Sequence, residues 1–433
     1  MERRKLVRDR LTYPIQGISV ILALIYLSPF VSSLLNYAAF LMCMYRLVKY
    51  DERVFSVDYC CLISVATVFA LPGGFSLVVV LSLLAEFWFV VRDGAVLDSA
   101  MAVLFLLVCY LMLRIQSSVS GFVLCVSQLL IFHRMLSFAD TQTILLDIGA
   151  FVLSVLTSSV YALVFRKTSA MTAIVGREVL AYYGSSLTRF QGLFRDPNYY
   201  MSLVIMAIVL LTLLYFKKYI SKALFSAGIV CMFFFGALTY SKTFLFLICL
   251  YWGLCFFYLL RARRYIFAAA FSVGTVVLAI ILSNTLFATT LYRITSASSV
   301  SELTTGRTDM FEEYWREIIS SPGTMLFGKG LSAQLLKKGT HNLFLEIQYY
   351  VGAIGLTLYL FYFGALVVRM QKKSAAGCYP SRLFSNSPLI VFIVLFSSLQ
   401  GMFSISVYTL LYLAVIAIAV PQKDCLQGKR TVK

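Results

Sequence analysis

TRFQGLFRDPNYYMSLVIMAIVLLTLLYFKK, residues 188–218, decides the fold. It opens on a polar turn with Arg189, Gly192, Arg195, Asp196 and Pro197, in which Asp196 is placed to cap a following helix. From Tyr199 to Phe216 there is no charge at all, and the run ends on Lys217 and Lys218. A helix needs about 20 apolar residues to cross the hydrocarbon core of a bilayer. Basic residues at one end of such a run mark its cytoplasmic side. The polar turn at the other end is therefore expected outside.

The same pattern recurs along the chain. Further spans are expected near 55–72, 75–91, 97–114, 119–135, 143–165, 221–240, 243–260, 265–286 and 343–368. Two uncharged stretches, 11–45 and 386–420, are too long for one crossing. Each reads as a hairpin, reversing at Pro29, Ser32 and Ser33 or at Gly401 and Ser404. The expectation is an all-α polytopic membrane protein of about 14 transmembrane helices, with 12 or 13 as lower counts. Its 433 residues are 61% hydrophobic and 13% charged, whereas a soluble domain carries about 25% charge. Lipid is thus the solvent for most of the chain. The basic N-terminal segment precedes no cleavage site, so the first run is read as a retained span.

The net charge of +18 is read as cytoplasmic Lys and Arg that set topology, not as a nucleic-acid footprint. Of the ten cysteines, only Cys378 and Cys425 fall in aqueous loops, and no C-x-x-C pair occurs. Neither disulfides nor a zinc site is expected. With the N-terminus inside, the chain divides into helices over 1–165, an outer segment 166–198, central helices over 199–286, a long outer loop 287–341, and a C-terminal part 342–433. Extracytoplasmic chemistry must use the two outer segments and the adjoining helix ends.

The second outer segment contains TTGRTDMFEEYWREIISSPG, residues 304–323. Asp309 to Ser320 has helical spacing with Met310, Tyr314 and Ile318 on one stripe, as in an amphipathic helix at an interface. Arg307, beside Gly306 and just before that helix, suits a phosphate. Gly328-Lys329-Gly330 reads as a turn. THNLFLEIQYYVGAIG, residues 340–355, begins the next span. At 100° per residue, Gln348, Gly352 and Gly355 fall within about 40° of His341. Asn342 and Glu346 share a neighbouring face, and the glycines allow close helix approach. The other histidine, His133, is read as structural. No D-x-D motif or histidine cluster is present, which disfavours a metal-dependent enzyme using nucleotide sugars.

These motifs resemble the O-antigen ligase and O-antigen polymerase superfamily. The resemblance rests on R-F-x-G-x-F at Arg189–Phe194 followed by Asp196-Pro197-Asn198, on Gly306-Arg307, and on His341-Asn342 separated by nine residues from Gly352-Ala353-Ile354-Gly355. It spans roughly 185–420. It implies a bacterial cytoplasmic-membrane glycosyltransferase whose donor is a glycan on a polyprenyl diphosphate, with its active site facing outward and no cofactor or metal. Arg189 and Arg307 would hold the diphosphate with help from Arg195, and His341 would orient or deprotonate the acceptor hydroxyl. Asn342, Gln348 and Gly306 would line the substrate site. A flippase and a chain-length regulator are the implied protein partners. The acceptor is a second lipid-linked repeat unit in a polymerase and lipid A–core in a ligase. With no outer patch legible for lipid A–core, polymerase is favoured. A lipid-linked oligosaccharide flippase is the alternative from another class. It is disfavoured because the chain shows no repeat, and the buried carboxylates Glu86 and Asp147 have no counterparts in the second half.

Overall fold

In lipid, every backbone polar group must be satisfied within the protein, so apolar runs become helices. The computed structural model describes residues 16–423 except 72–75, 116–118, 183–184, 267, 270–271, 275–286, 337–338, 376–381 and 400. The basic N-terminal segment, most of the expected span 265–286, Cys378 and Cys425 lie outside the described residues.

Helices α1 (Gln16–Leu27) and α2 (Leu34–Lys49) are joined by a reversal at Ser28–Ser33, as Pro29 and the serines implied. Next come α3 (Glu52–Leu62), α4 (Leu77–Asp93), α5 (Ser99–Leu113), α6 (Val119–Phe138) and α7 (Thr141–Phe165). A polar segment follows, with α8 (Ser169–Val175) and an antiparallel hairpin of β1 (Val179–Tyr182) and β2 (Ser185–Thr188) in the register Val179↔Thr188. Then come α9 (Pro197–Phe216), α10 (Lys222–Ala237) and α11 (Lys242–Arg261). The second polar segment forms α12 (Ala288–Thr295), α13 (Val300–Leu303), α14 (Arg307–Ile319) and α15 (Pro322–Phe327). The chain ends in α16 (Leu343–Ala375), α17 (Arg382–Ser385), α18 (Ser387–Phe396) and α19 (Ile405–Ile418). Residues 386–420 thus form two helices about a reversal containing Gly401, as expected.

Among the described residues, five helices are long and apolar enough to cross a membrane: α6, α7, α9, α11 and α16. Five further apolar helices, α1, α5, α10, α18 and α19, are 10–17 residues long. The expected span 55–72 is only partly regular. After α3 the chain tightens into a 3₁₀ turn at Ile63–Val65 and then an isolated bridge, Ala70 to Ser76. This segment is buried against α7, so neighbouring protein satisfies its irregular backbone in place of lipid.

Helix α9 is the axis of the bundle. Every residue from Tyr200 to Leu214 is buried, between α7, α10, α11, α18 and α19. Its sequence is apolar on all sides, the pattern of a helix enclosed all round. Helix α19 is likewise buried along its whole length. Polar pairs tie the other helices together. Arg46 binds Asp58 through two hydrogen bonds of 2.7 and 2.8 Å. Asp147 accepts hydrogen bonds from Ser56 and Tyr412, both at 2.5 Å. Although Asp147 has no symmetric counterpart, its partner Tyr412 comes from the second half of the chain.

Helix α16 is interrupted at Gly352, where φ is 67°. The break leaves carbonyls without helical partners, and other groups take them. Lys329 N–H donates to Tyr349 O and Gly330 N–H to Tyr350 O, both at 2.8 Å, and the Tyr110 hydroxyl donates to Val351 O at 2.7 Å. Gly328-Lys329-Gly330 is therefore a turn pinned to α16. The backbone that Gly352 admits is the C-terminal end of the short helix α15, at Leu326, and the start of this turn, not another long helix. Gly355 does face a helix, with Tyr110 of α5 3.0 Å from where a Cβ would sit.

A Cβ at Gly352 would lie 2.3 Å from Leu326 O and 2.5 Å from Gly328 N, in a backbone conformation that disfavours side chains. Gly352→Ala should cost at least about 2 kcal/mol, seen as a clear drop in melting temperature in detergent. Gly364→Ala, in the same helix with open space around it, should be neutral or slightly stabilising.

Candidate functional site

The site begins at the N-terminus of the buried axis. Asp196 Oδ1 accepts from Asn198 N–H at 2.7 Å and Pro197 occupies the first turn, so the expected cap forms. Asn198 Oδ1 then accepts from Arg189 Nη2 at 3.3 Å and from the Ser241 hydroxyl at 3.4 Å. Arg189 also donates from Nε to Thr239 O at 2.8 Å and from Nη1 to Glu178 at 2.7 Å. With 7% of its surface exposed, Arg189 has its guanidinium committed to the protein on all three nitrogens.

The turn between α10 and α11 collects the other basic groups. Tyr240 has a φ of 50°, and the Ser241 hydroxyl caps α11 by accepting from Phe244 N–H at 3.4 Å. Arg293 Nη1 donates to Tyr240 O at 2.7 Å. Lys242 Nζ donates to Glu302 O at 3.1 Å and Leu303 O at 3.0 Å. Arg307, the first residue of α14 and not its predecessor, reaches Thr243 Oγ1 with Nη1 at 3.5 Å. Gly306 turns the chain ahead of it at a φ of 76°, as a glycine allows. Four cations from three distant segments therefore surround the first turn of α11, a 20-residue helix whose N-terminus adds its own positive field.

Their electrostatic states differ. Arg189 is paired with Glu178. Among the described residues, Arg293 and Arg307 have no carboxylate at ion-pair distance. Burial holds both guanidinium groups below the usual arginine range, and the nearby Arg189 charge acts in the same direction. Glu178 opposes this at Arg293, and Asp196 opposes it at Arg307. Arginine nonetheless stays protonated. Two half-buried guanidinium groups without a carboxylate partner among the described residues, at a helix N-terminus, have the chemistry to hold an oxyanion, particularly one with several acceptor oxygens.

The second cluster lies at the start of α16. His341 sits on a bend with φ of 45°, two residues ahead of the helix, so it does not begin the helical face that spacing suggested. A left-handed conformation at a non-glycine residue is a strained one. Asn342 Oδ1 accepts from Leu345 N–H at 3.0 Å and so caps α16. Gln348 Nε2 donates to Met325 O at 2.9 Å, fastening α15 to α16. Glu346 is buried and accepts from the backbone N–H groups of Gly401 at 2.5 Å and Met402 at 2.9 Å.

The amphipathic helix is α14, and its buried residues are Met310, Tyr314 and Ile318, the expected stripe. Tyr314 packs edge-on against Tyr349 of α16 at 5.1 Å. Arg195 is exposed and turned to Ile174 O of α8, at 3.4 Å. His133 is buried 3.4 Å from Asp98. Sequence reasoning missed Lys242 and Arg293 as site residues. Ser241 ahead of an apolar run was a legible cap signal for the former; Arg293 carried none. No family model matches this chain, and no match is found among curated proteins or solved structures.

The two motif arginines should respond differently to removal. Arg189→Ala leaves Thr239 O and Asn198 short of a donor and should cost about 2 kcal/mol, lowering the melting temperature by several degrees. Arg307→Ala loses one long contact and should leave that temperature nearly unchanged.

Proposed function

We propose that this protein polymerises polyprenyl-diphosphate-linked oligosaccharide repeat units into a surface polysaccharide, by metal-independent inverting glycosyl transfer on the outer side of a bacterial cytoplasmic membrane. The observation that carries the reading is the pair of unpaired, half-buried guanidinium groups of Arg293 and Arg307 at the N-terminus of α11. The reading adopts the register of about 14 spans, in which segments 166–198 and 287–341 face outward.

In the proposed step the acceptor hydroxyl oxygen attacks the anomeric carbon of the donor. The new glycosidic C–O bond forms as the bond to the diphosphate breaks, and the diphosphate leaves with the bonding electron pair. Arg307, Arg293 and Lys242 stabilise the charge that develops on it. His341 accepts the hydroxyl proton; an ordinary imidazole titrates near about 6.5, suited to this task at neutral pH. Arg189 acts as a positioning residue that holds the Thr239 backbone and Asn198 while adding its field. Asn342, Gln348 and Gly306 shape the site through backbone and capping contacts. The lipid-linked donor and acceptor are the substrates, and a flippase and a chain-length regulator are the proposed protein partners.

Arg307→Ala and Arg293→Ala should each slow chain growth about 100-fold or more, and His341→Ala should abolish long chains. The measurement is glycan length on gels, alongside the amount of each variant in the membrane. Long chains from stably inserted His341→Ala and Arg307→Ala variants would refute the assignment. With purified lipid-linked donor, transfer to lipid A–core without growth on the polyprenyl carrier would establish the ligase reading instead.

A further inference from the structure

Beside the arginine cluster, on the other side of Arg189, a cavity of about 410 Å³ opens between α8 and the end of β2. That volume falls in the range of small-ligand sites, about 300–1,000 Å³. Its lining includes Arg166, Lys167, Arg177, Thr188, Arg189 and Gln191, and no carboxylate. Arg189 is neutralised by Glu178. Among the described residues, Arg166, Lys167 and Arg177 have no acidic partner; Arg177 makes one contact, to Lys167 O at 3.5 Å.

Gln191 is the second observation. It is 6% exposed, and its Nε2 donates to Val175 O at 2.9 Å and Gly176 O at 3.1 Å. Two carbonyl acceptors fix which way the amide faces, so the remaining atom is the oxygen, and that Oε1 has no hydrogen-bond partner. A buried acceptor without a donor is costly. An ionised phosphate or carboxylate has no hydrogen to offer it, but a hydroxyl has. The cavity therefore calls for a ligand with negative charge and hydroxyl groups together.

We infer that this cavity binds an acidic sugar of the glycan substrate, with its charge held by Arg166, Lys167 and Arg177 and a hydroxyl donated to Gln191 Oε1. The inference rests on the glycosyl-transfer reading and adds a substrate class to it. Arg189 borders both cavity and arginine cluster, so a sugar here lies next to the proposed diphosphate site.

The test uses the full-length protein in phosphatidylcholine nanodiscs, titrated with trigalacturonate and with maltotriose, a neutral trisaccharide. Trigalacturonate should bind at least about tenfold more tightly, and less so as salt rises. The double substitution Lys167→Gln with Arg177→Gln should weaken it about tenfold and leave maltotriose unaffected, while Lys167→Arg should retain binding. Gln191→Leu should weaken trigalacturonate binding without altering its salt dependence. The inference fails if trigalacturonate does not bind at millimolar concentration, if both trisaccharides bind alike, or if the double variant binds normally. Saturation by phosphatidylglycerol with no binding of trigalacturonate would assign the cavity to a lipid headgroup instead. Arg307→Ala and His341→Ala should keep trigalacturonate affinity. Unimpaired chain growth in those variants would overturn the polymerase reading alone, whereas loss of the binding pattern with growth still dependent on them would overturn the acidic-sugar inference alone.

Discussion

Enclosure of α9 is the constraint on which the other elements depend. Its residues from Tyr200 to Leu214 are buried on every side, so the helices around it must close a complete shell. In lipid this shell gains little from hydrophobic transfer, because acyl chains are as apolar as leucine, and packing with internal hydrogen bonds holds it together. The consequence for function lies at one end. The cap at Asp196 fixes the first turn of this enclosed helix, and Asn198 on that turn receives Arg189 and Ser241. The turn before α11 is thereby anchored, and Arg293 and Arg307 find their positions against it.

The handling of charge differs between the two ends of the bundle. At the end bearing Arg46, Arg134 and Arg369, the cations meet carboxylates: Asp58, Glu86 and Asp98 respectively. Such pairing offsets the cost of removing charges from water. At the end bearing the two long polar segments, Arg189 is paired with Glu178, and among the described residues Arg293 and Arg307 contact neutral oxygens. Guanidinium groups that meet no carboxylate retain binding capacity where a ligand can supply the countercharge. The same reasoning applies to backbone groups. The Tyr349, Tyr350 and Val351 carbonyls at the Gly352 break are taken by neighbouring residues, whereas among the described residues Gln191 Oε1 has no partner.

Apolar run length and the placement of charge were enough to read the helical membrane architecture, the two terminal hairpins and the Asp196 cap, because these depend on local sequence. The Met310, Tyr314 and Ile318 stripe was legible for the same reason, since helical periodicity alone selects the buried face. Motif spacing also singled out Arg189, Arg307 and His341. It could not separate their environments, because spacing says nothing of what a guanidinium touches. Arg189 proved to be held by its own chain, while His341 stands on a bend just outside the helix.

Only the tertiary structure brought Arg293 and Lys242 to Arg307, since the three belong to segments whose meeting depends on how helices pack around α9. It also produced the β1–β2 hairpin and the basic cavity between α8 and the end of β2, which no apolar pattern marks. Partition into lipid is a sum over neighbouring residues and can be read along a sequence. A binding site is a coincidence of residues distant in the chain, and it exists only once the backbone has closed.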